Sequence, residues 1–321
     1  MACTDGSDQF CGDWRGITPA PGVDCTGHEG AGHVAAVGPG VTRFKVGDRV
    51  GITPVYRTCN DQDGKEVCEM CQRGHETICY NKEYVAMNHN GTYTQYPLIS
   101  EQWAIKIPEG IPFEQAAPFM CSGGTAYTAV LAAGLKAGEW VTVFGAGGGV
   151  GHMVVQFCHA NGYKVIGVDV GDDKAKVVSD AGGDHFVDAV KAGANVADEV
   201  KKLTPGGAGT HAVIITAGNG KAYAAAPYVL RPLGVQVTVG IPAAGEAIAG
   251  ADPAWIVFMG ITIRGILVTS RKDMEDALVY LKDGKVKEHV TVYPFKYFPK
   301  ALANVAASKT NGRQVIEFMR D

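Results

Sequence analysis

Residues 141–157, VTVFGAGGGVGHMVVQF, constrain this chain more than any other stretch: a strand-length apolar run passes through a glycine-rich turn into a helix-length apolar run. Gly145, Gly147, Gly148, Gly149 and Gly151 are spaced G-x-G-G-G-x-G, with Val150 before the last. Glycine permits the tight turn and a close backbone approach, and the start of the following helix offers N–H groups and a favourable dipole to an anion. The context suits a dinucleotide pyrophosphate, although a close helix–sheet contact alone also calls for glycine. The next apolar run, KVIGVD, ends at Asp169, about where an acidic side chain takes the ribose hydroxyls. A carboxylate there repels a 2'-phosphate, and GDDKAK after it contains no arginine, so NAD is expected rather than NADP, with Lys174 as a further ribose contact.

The same alternation continues beyond the turn. From about residue 122, the runs WVTVFG, KVIGVD, HAVIIT, GVQVTVG and ITIRGILV are separated by helical stretches such as VADEVKKL. This predicts an α/β unit with a parallel sheet covered by helices on both faces. Up to about residue 120, short apolar runs such as HVAAVG and DRVGIT between glycine-rich turns predict small-barrel β structure. The tail opens with the amphipathic SRKDMEDALVYLKDG and ends in the strand-like VTVYPF and QVIEFM, which are expected to return to the first unit. The expected division is therefore 1–121, 122–268 and 269–321, making two domains, as a length of 321 residues suggests. A formal charge of -4 with no long basic run argues against nucleic acid or an anionic membrane as partner. The N-terminus lacks a secretory layout and no apolar stretch is long enough to span a bilayer, so a cytoplasmic location is expected.

Four of the nine cysteines crowd into TCNDQDGKEVCEMCQRGHETICY: Cys59, Cys68, Cys71 and Cys79, spaced C-x8-C-x2-C-x7-C. Four thiolates close a tetrahedral shell around zinc and leave no position for a substrate, so a structural site is expected. Cys68-x-x-Cys71 alone would also suit a redox pair, and His75 is expected at the surface.

GHEGAGHVAAVGPGVTRFKVGDRV, the cysteine cluster, CSGGTAYTAV, the glycine turn, GADPAWIVF and RGILVTSRKDM occur in that order. Together they resemble the medium-chain zinc-dependent alcohol dehydrogenases, particularly the yeast and fungal type, over nearly the whole chain. The resemblance implies a GroES-like β-barrel catalytic domain formed by both ends of the chain, a Rossmann domain between them, and an active cleft at their junction. It implies a catalytic zinc on Cys3, His28 and Cys121 with Glu29 as alternate ligand, and Thr4 as proton acceptor. It also implies cofactor contacts at Thr125, Val239, Gly240 and Val268, and at Arg313 near the pyrophosphate. The expected activity is oxidation of a primary or secondary alcohol to an aldehyde or ketone by NAD, with two zincs per subunit. A homo-oligomer, dimer or tetramer, is expected, because a strand such as ITIRGILV is rarely left as an open edge.

The chain departs from that pattern at its start. It begins only two residues before Cys3, so several strands of the resembling proteins are expected to be absent. MACTD sets Thr4 directly after Cys3, and registering on Thr4 and Asp5 would put Ala2 at the ligand position; Cys11 stands about where a relay histidine is common. Two competing functions follow: a non-catalytic or zinc-impaired NAD-binding relative, and a zinc-independent reductase of the same superfamily. Trp14, Met120 and Tyr127 are pocket candidates whose default role is core packing.

Overall fold

The structure, a computed structural model, describes residues 19–61, 64, 66–307 and 310–318, and the backbone of 2–4. Among them fourteen strands run in chain order: β1 (Ala2–Thr4), β2 (Gly30–His33), β3 (Arg49–Ile52), β4 (Val55–Arg57), β5 (Glu83–Tyr84), β6 (Ala104–Lys106), β7 (Trp140–Phe144), β8 (Lys164–Asp169), β9 (His185–Asp188), β10 (Thr210–Ile215), β11 (Leu230–Thr238), β12 (Thr262–Gly265), β13 (Val290–Pro294) and β14 (Arg313–Glu317). Two compact units result: Met1–Gly124 with Leu267–Gly284 and Glu288–Asp321, and Thr125–Ile266 with Lys285–Lys287.

The first unit is built on a six-stranded sheet ordered β13-β14-β1-β2-β3-β6. Both ends of the chain meet in it, because β1 pairs antiparallel with β14, Cys3 opposite Val315, and also with β2. Strands of three to five residues suffice here, since one face packs on Phe44, Val50 and Ala104 while glycines in β2 and β3 let neighbouring segments approach. A cavity of about 740 Å³ opens on β2 and β3, lined by apolar side chains that include Val34, Phe44, Ile52, Leu98 and Phe113. A separate two-stranded ladder, β4 with β5, leads into and out of the cysteine-rich loop.

The second unit is a six-stranded sheet ordered β12-β11-β10-β7-β8-β9, with every neighbouring pair parallel. Near-continuous apolar runs follow from burial on both faces: all four residues of β10 from Ala212 to Ile215 are fully buried. Phe144, Ile166, Val213 and Ile215 pack with Val196, Val200, Tyr223 and Leu230 into one core. Chain order proceeds from β7 to β9 on one side and resumes at β10 on the other, so the sheet switches direction between β7 and β10. Ligands of such sheets bind outside the strand carboxyl ends at that switch, and the glycine turn follows β7 there. At the far edge, β12 is exposed throughout, and the helix Pro253–Met259 leaves Val257 and Phe258 in solvent.

Candidate active site and metal centres

The cysteine loop is folded around its own sulfurs. After β4 a short turn, Cys59–Asp61, buries Cys59; the helix Glu69–Gln72 buries Cys71, and a second turn, Glu76–Ile78, delivers Cys79. All four Sγ atoms lie within 4.8 Å of one another. The Cys68–Cys79 separation is 3.8 Å, which matches the edge, about 3.8 Å, of a tetrahedron with zinc–sulfur bonds of about 2.3 Å. Backbone N–H groups of Cys59 and Asn81 donate to Cys79 Sγ, and that of Cys68 to Cys59 Sγ, as anionic sulfur requires. Cys68 is held down to about 6 by the backbone N–H groups of Cys71 and Tyr80, whereas burial pushes Cys71 and Cys59 up. This donor set fits one zinc with a complete protein shell. His75 is exposed beside it.

A second cluster unites His28, Glu29 and Cys121, whose ligand atoms also lie within 4.8 Å of one another. His28 and Glu29 stand just before β2 on a segment laid against residues 91–93: Thr92 N donates to Gly27 O and Thr92 Oγ1 to Glu29 O. That approach requires glycine at 91, where a Cβ would lie 2.2 Å from the carbonyl oxygens of Gly27 and Thr26. Cys121 sits in a single π-helical turn, Phe119–Gly123, between the helices Phe113–Pro118 and Gly124–Ala133. Such turns are frequent at functional sites. Ser122 Oγ donates to Glu288 Oε1 at 2.6 Å and pins the turn. Glu29 is 1% exposed, its Oε1 is 3.9 Å from His28 Nε2, and Arg313 Nη2 donates to both of its oxygens. Imidazole, carboxylate and thiol, with His28 and Cys121 only partly buried, fit a metal that keeps an open position. Cys3 and Thr4 lie on β1, but their side chains, like Cys11 and Trp14 as a whole, fall outside the described residues. Met120 is fully buried and Tyr127 stacks edge-on against Phe157. The apolar cavity on β2 and β3 is lined by none of the ligating residues.

In the second unit the glycine turn closes on Asp169. Gly147 N donates to Asp169 Oδ2 at 2.8 Å, Val170 N to Oδ1, and Lys174 Nζ to Gly147 O. Burial lowers the Lys174 pKa against the opposing pull of Asp169 and Asp173. Gly145 takes φ +77°, and a Cβ at Gly151, where the helix Gly151–Ala160 begins, would lie 2.0 Å from Gly145 O. Gly148 N donates to that same oxygen, and Val150 is the cap residue; with Gly149 they complete the cradle. Thr125 Oγ1 is buried and has no hydrogen-bond partner among the described residues. Val239 N and Gly240 N both donate to Ile215 O at the end of β10. The cradle and its carboxylate fit a dinucleotide.

Three features escaped sequence reasoning. The Arg313–Glu29 pair joins residues 284 positions apart. Val268, expected as a nicotinamide contact, takes φ +47°, a strained conformation for a β-branched residue. Arg271 grips Glu76 in the cysteine loop from 195 positions away.

Comparison with known proteins shows the family. The family described as alcohol dehydrogenase GroES-like domain matches residues 2–109, and the family described as zinc-binding dehydrogenase matches 149–283. An alcohol dehydrogenase of Schizosaccharomyces pombe is 38% identical over 309 residues, covering 96% of this chain and 85% of its own. The crystal structure of the alcohol dehydrogenase of the archaeon Aeropyrum pernix superposes with a TM-score of 0.86 at 26% identity, covering 98% of this chain and 89% of its own. A crystal structure described as an NAD-dependent alcohol dehydrogenase gives the same TM-score at 26% identity, covering 99% and 90%. Similarity sustained over that length, on top of two ligand clusters and a glycine cradle in one chain, leaves a single assignment: the chain belongs to the medium-chain zinc-dependent alcohol dehydrogenases.

Proposed function

We propose that this protein oxidises a primary or secondary alcohol to the aldehyde or ketone, passing the hydride to NAD, with one zinc at Cys3, His28 and Cys121, Glu29 being its alternate ligand, and a second, structural zinc on the four cysteines. The observation that carries the reading is the cluster of His28, Glu29 and Cys121, where three ligand types converge within 4.8 Å and Cys121 lies in a π-helical turn. When bound, zinc there supplies a Lewis acid that lowers the pKa of the alcohol hydroxyl, and NAD supplies the hydride acceptor.

The chain's own residues do the rest. His28 and Cys121 hold the metal from two separate segments, with Cys3 as the third protein ligand. Arg313 fixes the Glu29 carboxylate within reach of the same position, so Glu29 serves as an alternate ligand. Thr4 accepts the alcohol proton and passes it outward. Asp169 and Lys174 select and hold the adenosine ribose, residues 145–151 bind the pyrophosphate through backbone N–H groups, and Thr125, Val239, Val268 and Arg313 complete the cofactor contacts. Positioning and electrostatics then supply the catalysis. A chain that keeps both ligand clusters is not expected to work as a zinc-independent reductase. A second copy is proposed to cover β12 and the helix Pro253–Met259.

The test is brief treatment with a chelator that reaches the open metal position. Alcohol oxidation should cease while NAD still binds, as read by fluorescence titration. Joint loss of both would contradict the proposal.

A further inference from the structure

The helix Arg271–Lys282 touches both metal-ligating clusters' supports from its first turn. At its first residue, the Arg271 guanidinium donates through Nε and Nη2 to the Glu76 carboxylate and through Nη1 to Gln102 O at 3.0 Å, and it lies 5.1 Å from the Trp103 ring centroid. Asp61, two residues after Cys59, stands 3.5 Å from Nη1 and accepts from Trp103 Nε1 at 2.8 Å. Asp61 lies between Cys59 and Cys68 and Glu76 between Cys71 and Cys79, so the helix start is bolted to that loop. One turn on, Met274 is fully buried, and Thr269 just ahead of the helix is 3% exposed. Both press on Gly124: a Cβ there would come 2.4 Å from Thr269 Cγ2 and 2.6 Å from Met274 Cε. Gly124 directly follows the π-helical turn that carries Cys121.

One rigid helical turn thus bears on the cysteine loop with one side chain and on the base of the Cys121 turn with another. Loops without much apolar burial of their own keep their shape through such anchors, and a metal ligand tolerates little displacement. We propose that Arg271 is a positioning residue for Cys121: acting through Met274, Thr269 and Gly124, it makes the order of the Cys121 turn depend on the order of the four-cysteine loop. This rests on the reading that both clusters hold zinc. It assigns the four-cysteine site a role beyond holding its own loop together.

Amide hydrogen exchange on the whole, zinc-loaded protein tests the coupling. In Arg271→Met, and in Glu76→Gln, which cuts the same contact from the other side, amides of 59–79 should exchange about tenfold faster, and so should those of 119–124, while β8 and β10 stay at wild-type rates. Arg271→Lys keeps a cation without the fork and should fall between; it serves if Arg271→Met does not fold. With cobalt in place of zinc, the thiolate charge-transfer band of the His28–Cys121 cluster should fade faster under chelator in the same variants. Faster exchange in 59–79 with 119–124 unchanged overturns the proposal. Failure of the underlying zinc reading would show separately, as a metal content below two in the wild type, and the exchange comparison decides the coupling in either case.

Discussion

Arg313 donates to both oxygens of Glu29, and the two side chains, 4% and 1% exposed, form a buried ion pair whose carboxylate also faces His28. Removing one partner strands the other charge. Arg313→Ala should therefore cost about 3–5 kcal/mol in urea unfolding, and Arg313→Lys, which cannot fork, should recover only part of it. A loss below about 1 kcal/mol, the range of exposed pairs, would show that the pair is not buried in solution.

Asp169 closes on Gly147 N and is the proposed ribose ligand. Asp169→Ser should weaken NAD binding and shift the NAD to NADP preference toward NADP by about tenfold or more, equivalent to about 1.4 kcal/mol. Steady-state kinetics with both cofactors checks this; an unchanged ratio would remove Asp169 from cofactor selection.

Gln236 on β11 is completely buried, and neither side-chain amide atom has a partner among the described residues. Thr238, two residues on along the same face, carries a second orphan hydroxyl. Gln236→Leu removes the unpaired atoms at similar volume and should stabilise the protein by about 1–3 kcal/mol. Destabilisation of that size in a urea titration would mean that the amide is paired.

Burial would raise the Glu83 pKa, but hydrogen bonds from Arg57 and His89 outweigh it, so its pKa lies below the ordinary 4.5. A depressed carboxylate contributes stability that is fully present above its unfolded value and is lost as the pH falls through the folded one. The protein should lose stability as the pH drops below 4.5, and Glu83→Gln should flatten that part of the profile. An identical slope in the variant would assign the acid sensitivity elsewhere.

The parts of this protein readable from the sequence are those written in contiguous residues. The glycine turn, its strand and helix, Asp169 twenty-two positions from Gly147, and the four cysteines in one loop each carry their chemistry in a short spacing. The parallel sheet follows from apolar runs too long for a half-buried strand. What was not readable joins distant segments. No local pattern links Arg313 to Glu29 or Arg271 to Glu76, because ion pairs are chosen by the packed fold and not by spacing. Nor does the π-helical turn at Cys121 have a sequence signature; Pro118 and the glycines at 123 and 124 fit an ordinary helix interruption equally well.

The assembly carries a separate consequence. Phe258 and Val257 are 87% and 76% exposed on the helix that leads into the exposed strand β12, and a second copy is proposed to cover both. Phe258→Asp should lower the sedimentation coefficient to that of a monomer, whereas an unchanged value would place any interface elsewhere.

Zinc content per chain, by elemental analysis of the dialysed protein, tests the central claim most directly. The account predicts two zincs in the wild type and one in His28→Ala, with the remaining zinc on Cys59, Cys68, Cys71 and Cys79. One zinc in the wild type would contradict it, because the His28, Glu29 and Cys121 cluster would then hold no metal and alcohol oxidation would lose its Lewis acid.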